Sequence, residues 1–275
     1  MRKFIFKIFI FFITSYVFIY CLGAIFSFLI NKSGKNFLNN ADYKVTEAII
    51  KSRQHKKTKK LIIGDSVGAS LYSNDNNENV ISLATTVALT TVGQYCLMAN
   101  FIENNRNNPP EEVILIYNPI CWNNTLEGPL AYSCFAKNFY NDEFMSYLDE
   151  KEITYISKWP YAKLLNQKWF ALSPVSYSAI ENLPKGEYIS PQQYRYLKKM
   201  ISLCLDKNIK FSMYSGPVRE SLKNQIEKSF KGKEHTNEPI FQDYYSSIKY
   251  MPDSCFIDQL HLKKEFIPTD YLNLY

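Results

Sequence analysis

The stretch Lys60-Leu61-Ile62-Ile63-Gly64-Asp65-Ser66 decides how this chain is read. Leu61, Ile62 and Ile63 are consecutive aliphatic residues, and Gly64 ends the run. A short apolar run closed by a breaker reads as a strand buried on both faces. Asp65-Ser66 then opens a turn into the helical pattern Val67-Gly68-Ala69-Ser70-Leu71-Tyr72.

Downstream the same grammar repeats. Val80–Leu83, Glu112–Tyr117, Ile209–Tyr214 and Cys255–Ile257 read as further strands. Helical spacing of apolar residues lies between them, over Thr91–Asn104, Pro191–Asp206 and Arg219–Phe230. Alternation of this kind predicts an α/β domain with about five parallel strands and helices on both faces. Sites in such sheets form beyond the carboxyl ends of the strands. The interval from about residue 121 to 186 breaks the repeat and reads as a helical insertion. It is rich in aromatics, among them Trp122, Tyr140, Tyr147, Tyr155, Trp159 and Trp169. These either stack on sugar rings at the site or pack the insertion's own core.

Upstream, Ile8 to Ile30 runs without a charge, and Arg2, Lys3 and Lys7 flank it. A helix of that length, about 35 Å, spans a bilayer core. A cleavable signal peptide has a shorter apolar region and a small-residue cleavage site, and Tyr20 before Cys21 does not suit a lipoprotein signal. Residues 1–30 therefore read as an uncleaved signal anchor, with membrane lipid as its partner. The Lys/Arg residues on the two sides of the span nearly balance and leave its orientation open.

Residues 31–57 read as a basic stalk, partly helical over Ala41–Arg53, and residues 58–275 as the globular domain. Twelve of the 32 Lys/Arg and two of the 26 Asp/Glu fall within residues 1–60, a net +10, so the other residues carry −4. The mildly acidic remainder argues against a nucleic-acid surface. The basic residues from Lys51 to Lys60 either meet anionic lipid headgroups or form a solvated stalk. The six cysteines, Cys21, Cys96, Cys121, Cys134, Cys204 and Cys255, include no C-x-x-C pair. Nothing in their spacing suggests a metal site or a cofactor. Cys121 and Cys134 either bridge or remain buried thiols.

Serine is a weak nucleophile and needs a base beside it. The chain offers His55 in the basic segment, His235 in a polar stretch, and His261. His261 closes Asp258-Gln259-Leu260-His261, beyond the last expected strand. A D-x-x-H pair lets a carboxylate orient the imidazole while the other ring nitrogen faces a serine. Taken singly, Ser66 also reads as a helix N-cap, and Asp258 with His261 as a surface pair.

With Gly64-Asp65-Ser66 after the first strand and Asp258-x-x-His261 after the last, the chain resembles the SGNH (GDSL-like) hydrolase superfamily over residues 60–262. The resemblance implies a flavodoxin-like three-layer α/β/α fold and O-acyl esterase, lipase or acyltransferase activity. It implies Ser66 as nucleophile, His261 as base and Asp258 as its orienting partner. The family's oxyanion hole draws on the nucleophile's N–H, a glycine after strand two and an asparagine after strand three. Ser66 and Asn118, in Ile116-Tyr117-Asn118-Pro119, match two of these. The glycine is replaced within Ser82-Leu83-Ala84-Thr85-Thr86-Val87, where a backbone amide or the Thr85 hydroxyl is the expected substitute.

The resemblance further suggests an extracytoplasmic domain acting on acetyl groups of a cell-envelope polysaccharide, with a membrane acyl-donor protein as partner. A catalytically weak glycan-binding or complex-forming protein on the same fold is the alternative. A lipid esterase is a third reading.

Overall fold

The structure is a computed structural model, and it describes residues 2–33, 40–72, 79–126, 132–157, 189–231 and 233–267. The helices used below are α1 (Arg2–Ser33), α2 (Asn40–Ser52), α3 (Ser66–Leu71), α4 (Thr90–Asn104), α5 (Glu150–Ser157), α6 (Pro191–Asp206), α7 (Lys223–Phe230) and α8 (Pro239–Ser246). The strands are β1 (Lys60–Gly64), β2 (Val80–Ser82), β3 (Glu112–Ile116), β4 (Lys210–Tyr214), β5 (Val218–Arg219) and β6 (Tyr250–Met251).

Four strands form one parallel sheet in the order β2-β1-β3-β4. Side chains alternate across it. Leu61, Ile63, Val113 and Leu115 enter one apolar cluster with residues of α2, α4, α6 and α8. Ile62, Ile114 and Ile116 enter a second cluster with Val67 and Leu71 of α3. Burial on both faces explains why β1 and β3 are continuous aliphatic runs rather than alternating ones. β5 and β6 make a separate two-stranded parallel pair.

Cys255–Ile257 does not extend the main sheet. Asp253–Cys255 is a 3₁₀ turn, and Phe256 makes a single antiparallel bridge to Leu262. Its backbone is engaged locally: Ile257 N–H donates to the His261 carbonyl at 2.8 Å, and Lys263 N–H to the Cys255 carbonyl at 2.9 Å. Pro252 precedes the turn and has no N–H to give a ladder.

The stalk boundary also moves. Val45, Ala48 and Ile49 of α2 are buried in the main core, so the domain begins at α2 rather than at residue 58. In the insertion, Trp122 is fully buried against Tyr117, Phe241 and Tyr244, which makes it a core residue. Trp159 and Trp169 lie outside the described residues. Cys121 and Cys134 are buried thiols, not a bridge. Within α1, Arg2–Leu22 has a mean hydropathy of 2.2 and none of it is buried against the domain, so this helix is long and apolar enough to cross a membrane.

One close approach fixes the centre of the sheet. Gly64 pairs with Ile116, and a Cβ on Gly64 would lie 1.9 Å from the Ile116 carbonyl oxygen. Its φ of 148° is also one that side chains rarely adopt. Gly64→Ala is therefore expected to lower stability by about 3 kcal/mol. Urea denaturation of the full chain in detergent, compared with wild type, measures it.

Candidate active site

β1 ends at Gly64, and α3 begins two residues later at Ser66. Asp65 is the N-cap of α3, with extended backbone and its side chain turned inwards. Its Oδ1 accepts from Val67 N–H at 2.9 Å and Gly68 N–H at 3.3 Å. Its Oδ2 accepts from Asn118 N–H at 2.7 Å, beyond the end of β3. One carboxylate thus joins the exits of β1 and β3. Burial pushes the Asp65 carboxyl above its ordinary range, while the N–H groups of Asn118, Gly68 and Val67 pull it back in part. The Cys121 thiol is held up by its own burial and by the neighbouring Asp65 carboxylate.

Two buried glutamines support the same edge. Gln94 of α4 accepts from Gly64 N–H at 3.0 Å. Gln193 of α6 accepts from the Tyr117 hydroxyl at 2.8 Å and donates to the Cys121 carbonyl at 2.7 Å. The Tyr244 hydroxyl donates to the Tyr117 carbonyl at 2.6 Å. The segment 117–121 that presents Asn118 is therefore held from α6 and α8.

Ser66 is half-buried, and His261 Nε2 lies 2.9 Å from its Oγ. His261 Nδ1 lies 2.8 Å from Asp258 Oδ2. A carboxylate only accepts, so Nδ1 carries the proton and Nε2 presents its lone pair to the Ser66 hydroxyl. Asp258 Oδ1 accepts from the Leu260 and His261 N–H groups, both at 2.8 Å. Ser66 and the Asp258–His261 pair form one connected relay, with His261 lying 195 residues further along the chain than Ser66. The other histidines are used elsewhere: His55 Nδ1 meets the Asn104 carbonyl at 2.6 Å, and the His235 ring packs against Phe241.

The residues expected to bind an oxyanion separate into two groups. Ser66 N–H, first in α3, donates to no group among the described residues. Asn118 Oδ1 accepts from Ile120 N–H at 3.1 Å, which orients the amide and leaves its NH₂ available. At Thr85 the amide is engaged and the hydroxyl is not. Its N–H donates to the Gly64 carbonyl at 3.0 Å, and its fully buried hydroxyl has no hydrogen-bond partner. The hydrogen bonding of β2 to β1 simply continues past Ser82 and engages that amide. The same loop holds Thr90 at a φ of 52°, a strained conformation for a β-branched residue.

Asp65 and its glutamine supports were not singled out from the sequence. Asp65 had a signal, since an acid between a strand-ending glycine and a helix start is a natural N-cap. Gln94 and Gln193 had none, because a polar residue inside a helix pattern does not announce a buried partner. Among the described residues, no group of three or more His, Cys, Asp or Glu side chains is placed to hold a metal ion. No family model, curated protein or solved structure matches this chain.

Two outcomes are expected. Asp65→Asn sets an amide donor against a backbone N–H, and the full chain should lose about 1–3 kcal/mol in urea denaturation. For Asp258, partial burial opposes ionisation, but the N–H groups of His261 and Leu260 and the imidazole outweigh it, so the carboxyl titrates below its ordinary value. A depressed folded value stabilises above the unfolded pKa and is lost as pH falls through the folded one. The Asp258–His261 pair should therefore survive acidification through the ordinary aspartate range and break below it. An NMR titration of the Asp258 carboxyl carbon reads this directly.

Proposed function

We propose that this chain is a membrane-anchored, serine-dependent O-acyl esterase or acyltransferase of the SGNH type, acting on acetyl groups of a cell-envelope polysaccharide from an extracytoplasmic domain. The observation that carries the reading is the continuous relay from Ser66 Oγ through His261 to Asp258. The strand order β2-β1-β3-β4 supports a flavodoxin-like three-layer domain, whose sheet begins in that order. The anchor helix supports the membrane assignment.

The chemistry follows from the relay. Ser66 Oγ attacks the acyl carbonyl carbon as its proton passes to His261 Nε2. The carbonyl oxygen becomes negative and accepts hydrogen bonds from Ser66 N–H and the Asn118 amide. Asp258 stabilises the imidazolium. The proton moves from Nε2 to the departing alkoxide, the carbon–oxygen bond breaks, and an acyl-Ser66 ester remains. Water or a sugar hydroxyl then gives its proton to Nε2 while its oxygen attacks that ester, and Ser66 regains its proton as the product leaves. Hydrolysis and transfer differ only in this second nucleophile.

One observation favours a second reading. The Thr85 N–H is taken by the Gly64 carbonyl, which leaves the Ser66 N–H, the Asn118 amide and the buried Thr85 hydroxyl as the donors to consider for the oxyanion. A slow enzyme, or a glycan-binding protein on this fold, is consistent with that. Turnover of an activated acetyl ester and labelling by a fluorophosphonate separate the readings. The esterase reading expects both in the full chain and neither in Ser66→Ala. Asp258→Asn should lower kcat roughly 10⁴-fold, and Asn118→Ala roughly 10²–10³-fold. Wild-type protein that neither labels nor turns over in a Ser66-dependent way supports the binding protein instead.

A further inference from the structure

The first basis is where the anchor joins the domain. α2 is tied at its carboxyl end to the carboxyl end of α4. Asn100 Nδ2 donates to Ser52 Oγ at 3.0 Å, and Asn105 Nδ2 to the Gln54 carbonyl at 2.9 Å. Lys56 N–H returns a bond to Asn105 Oδ1 at 2.9 Å. This junction lies at the amino edge of the sheet, where Glu111 N–H donates to the Lys59 carbonyl just before β1 and β3 begin. α2 packs along α4 with Val45, Ala48 and Ile49 buried. α4 runs from the carboxyl end of β2 back to the amino end of β3. With their carboxyl ends together the two helices run the same way, so Asn40 points to the carboxyl edge, about 20 Å from Ser52. The crevice between α2 and α3 runs along α2 from Lys44 to Lys51, beside Ala69, Tyr72 and Ala84. Asn40 is also the end nearer the anchor. The seven peptide steps from Ser33 reach at most about 25 Å.

The second basis is the surface of that edge. Outside the anchor, four large apolar side chains are exposed among the described residues: Ile50, Leu205, Ile257 and Phe266. Ile50 and Leu205 lie near the carboxyl ends of α2 and α6, towards the amino edge of the sheet, while Ile257 and Phe266 flank the catalytic histidine. Ile257 is 71% exposed beside Asp258, and Phe266 is 40% exposed five residues after His261. Lys264 is exposed next to them, with Glu265. Exposed aliphatic and aromatic side chains beside a lysine suit a lipid interface.

We propose that the carboxyl edge of the sheet, carrying Ser66 and His261, rests on the bilayer, and that the site takes an acyl ester on a lipid-borne carrier. The substrate half of this rests on the esterase reading, and the orientation half does not. The basic residues Lys56, Lys57 and Lys59 then stand at the far edge, away from lipid headgroups. The surface contact is made by the loop from Ile257 to Phe266.

The test uses the full chain in vesicles, with Cys21→Ser to remove the exposed native thiol. An environment-sensitive fluorophore is placed at Ile257→Cys or at Asn107→Cys, both exposed, with nickel-chelating lipid as headgroup quencher. The label at 257 should lose most of its emission and the label at 107 should keep most of it. Equal quenching, or stronger quenching at 107, overturns the orientation. In the same vesicles, a fluorogenic ester on a dialkyl lipid is compared with its water-soluble counterpart. Preference for the lipid form should fall when a long Gly-Ser spacer is inserted before Asn40. An unchanged preference overturns the substrate class. Ser66-independent turnover of the soluble ester would count against the esterase reading alone and leave the quenching result standing.

Discussion

The site depends on a buried carboxylate. Asp65 reaches three backbone N–H groups, two at the start of α3 and one just past β3. A carboxylate inside a protein is costly unless its oxygens are hydrogen-bonded. Here those bonds are also what hold two strand exits in register. Gly64 makes the contact sterically possible, because any side chain there would overlap the Ile116 carbonyl. Ser66 and Asn118 then follow as consequences. The first is the residue after Asp65, and the second is the residue whose N–H Asp65 holds.

The two halves of the relay are built differently. Ser66 starts a helix whose Val67 and Leu71 are buried in the second core cluster. His261 and Asp258 sit on a loop, with side chains 29% and 54% exposed. That loop is closed by its own backbone, through the Ile257–His261 and Cys255–Lys263 bonds and the Phe256–Leu262 bridge. Phe256, Leu262 and Cys255 form a small apolar cluster beneath it. The D-x-x-H spacing gives Asp258 two backbone N–H partners as well as the imidazole. An exposed carboxylate thereby becomes an ordered one, and the cost of holding the imidazole is met within a few residues.

Where the sequence was legible, a short-range signal coincided with the long-range structure. β1 and β3 read correctly because a strand buried on both faces leaves an unbroken aliphatic run. Ser66 and Asn118 were legible through their position at the exits of β1 and β3, and the Asp258–His261 pair through its D-x-x-H spacing. Cys255–Ile257 shows the limit. Three apolar residues look alike whether they extend a sheet or floor a loop, and only the partners of their N–H groups distinguish the two. The Thr85 amide shows a related limit: whether an N–H past a strand end is available depends on whether the ladder has stopped. α2 was read as a stalk because its buried face is narrow. Val45, Ala48 and Ile49 are few among many polar neighbours.

The charge of that segment has a structural explanation as well. Lys51 pairs with Glu47, Arg53 with Glu143 and Lys60 with Glu112. Through Arg53 and Lys60, part of the excess positive charge near the N-terminus meets the negative charge of the rest of the chain inside one folded unit. An exposed pair such as Arg53–Glu143 contributes little stability, and it ties the end of α2 to the segment that carries Glu143. α2 is then both the last element before the anchor and a member of the core. It packs on α4, α4 supplies Gln94 to the Gly64 N–H, and Gly64 leads into Ser66. From α2 to Ser66 the path runs through packed elements of one domain.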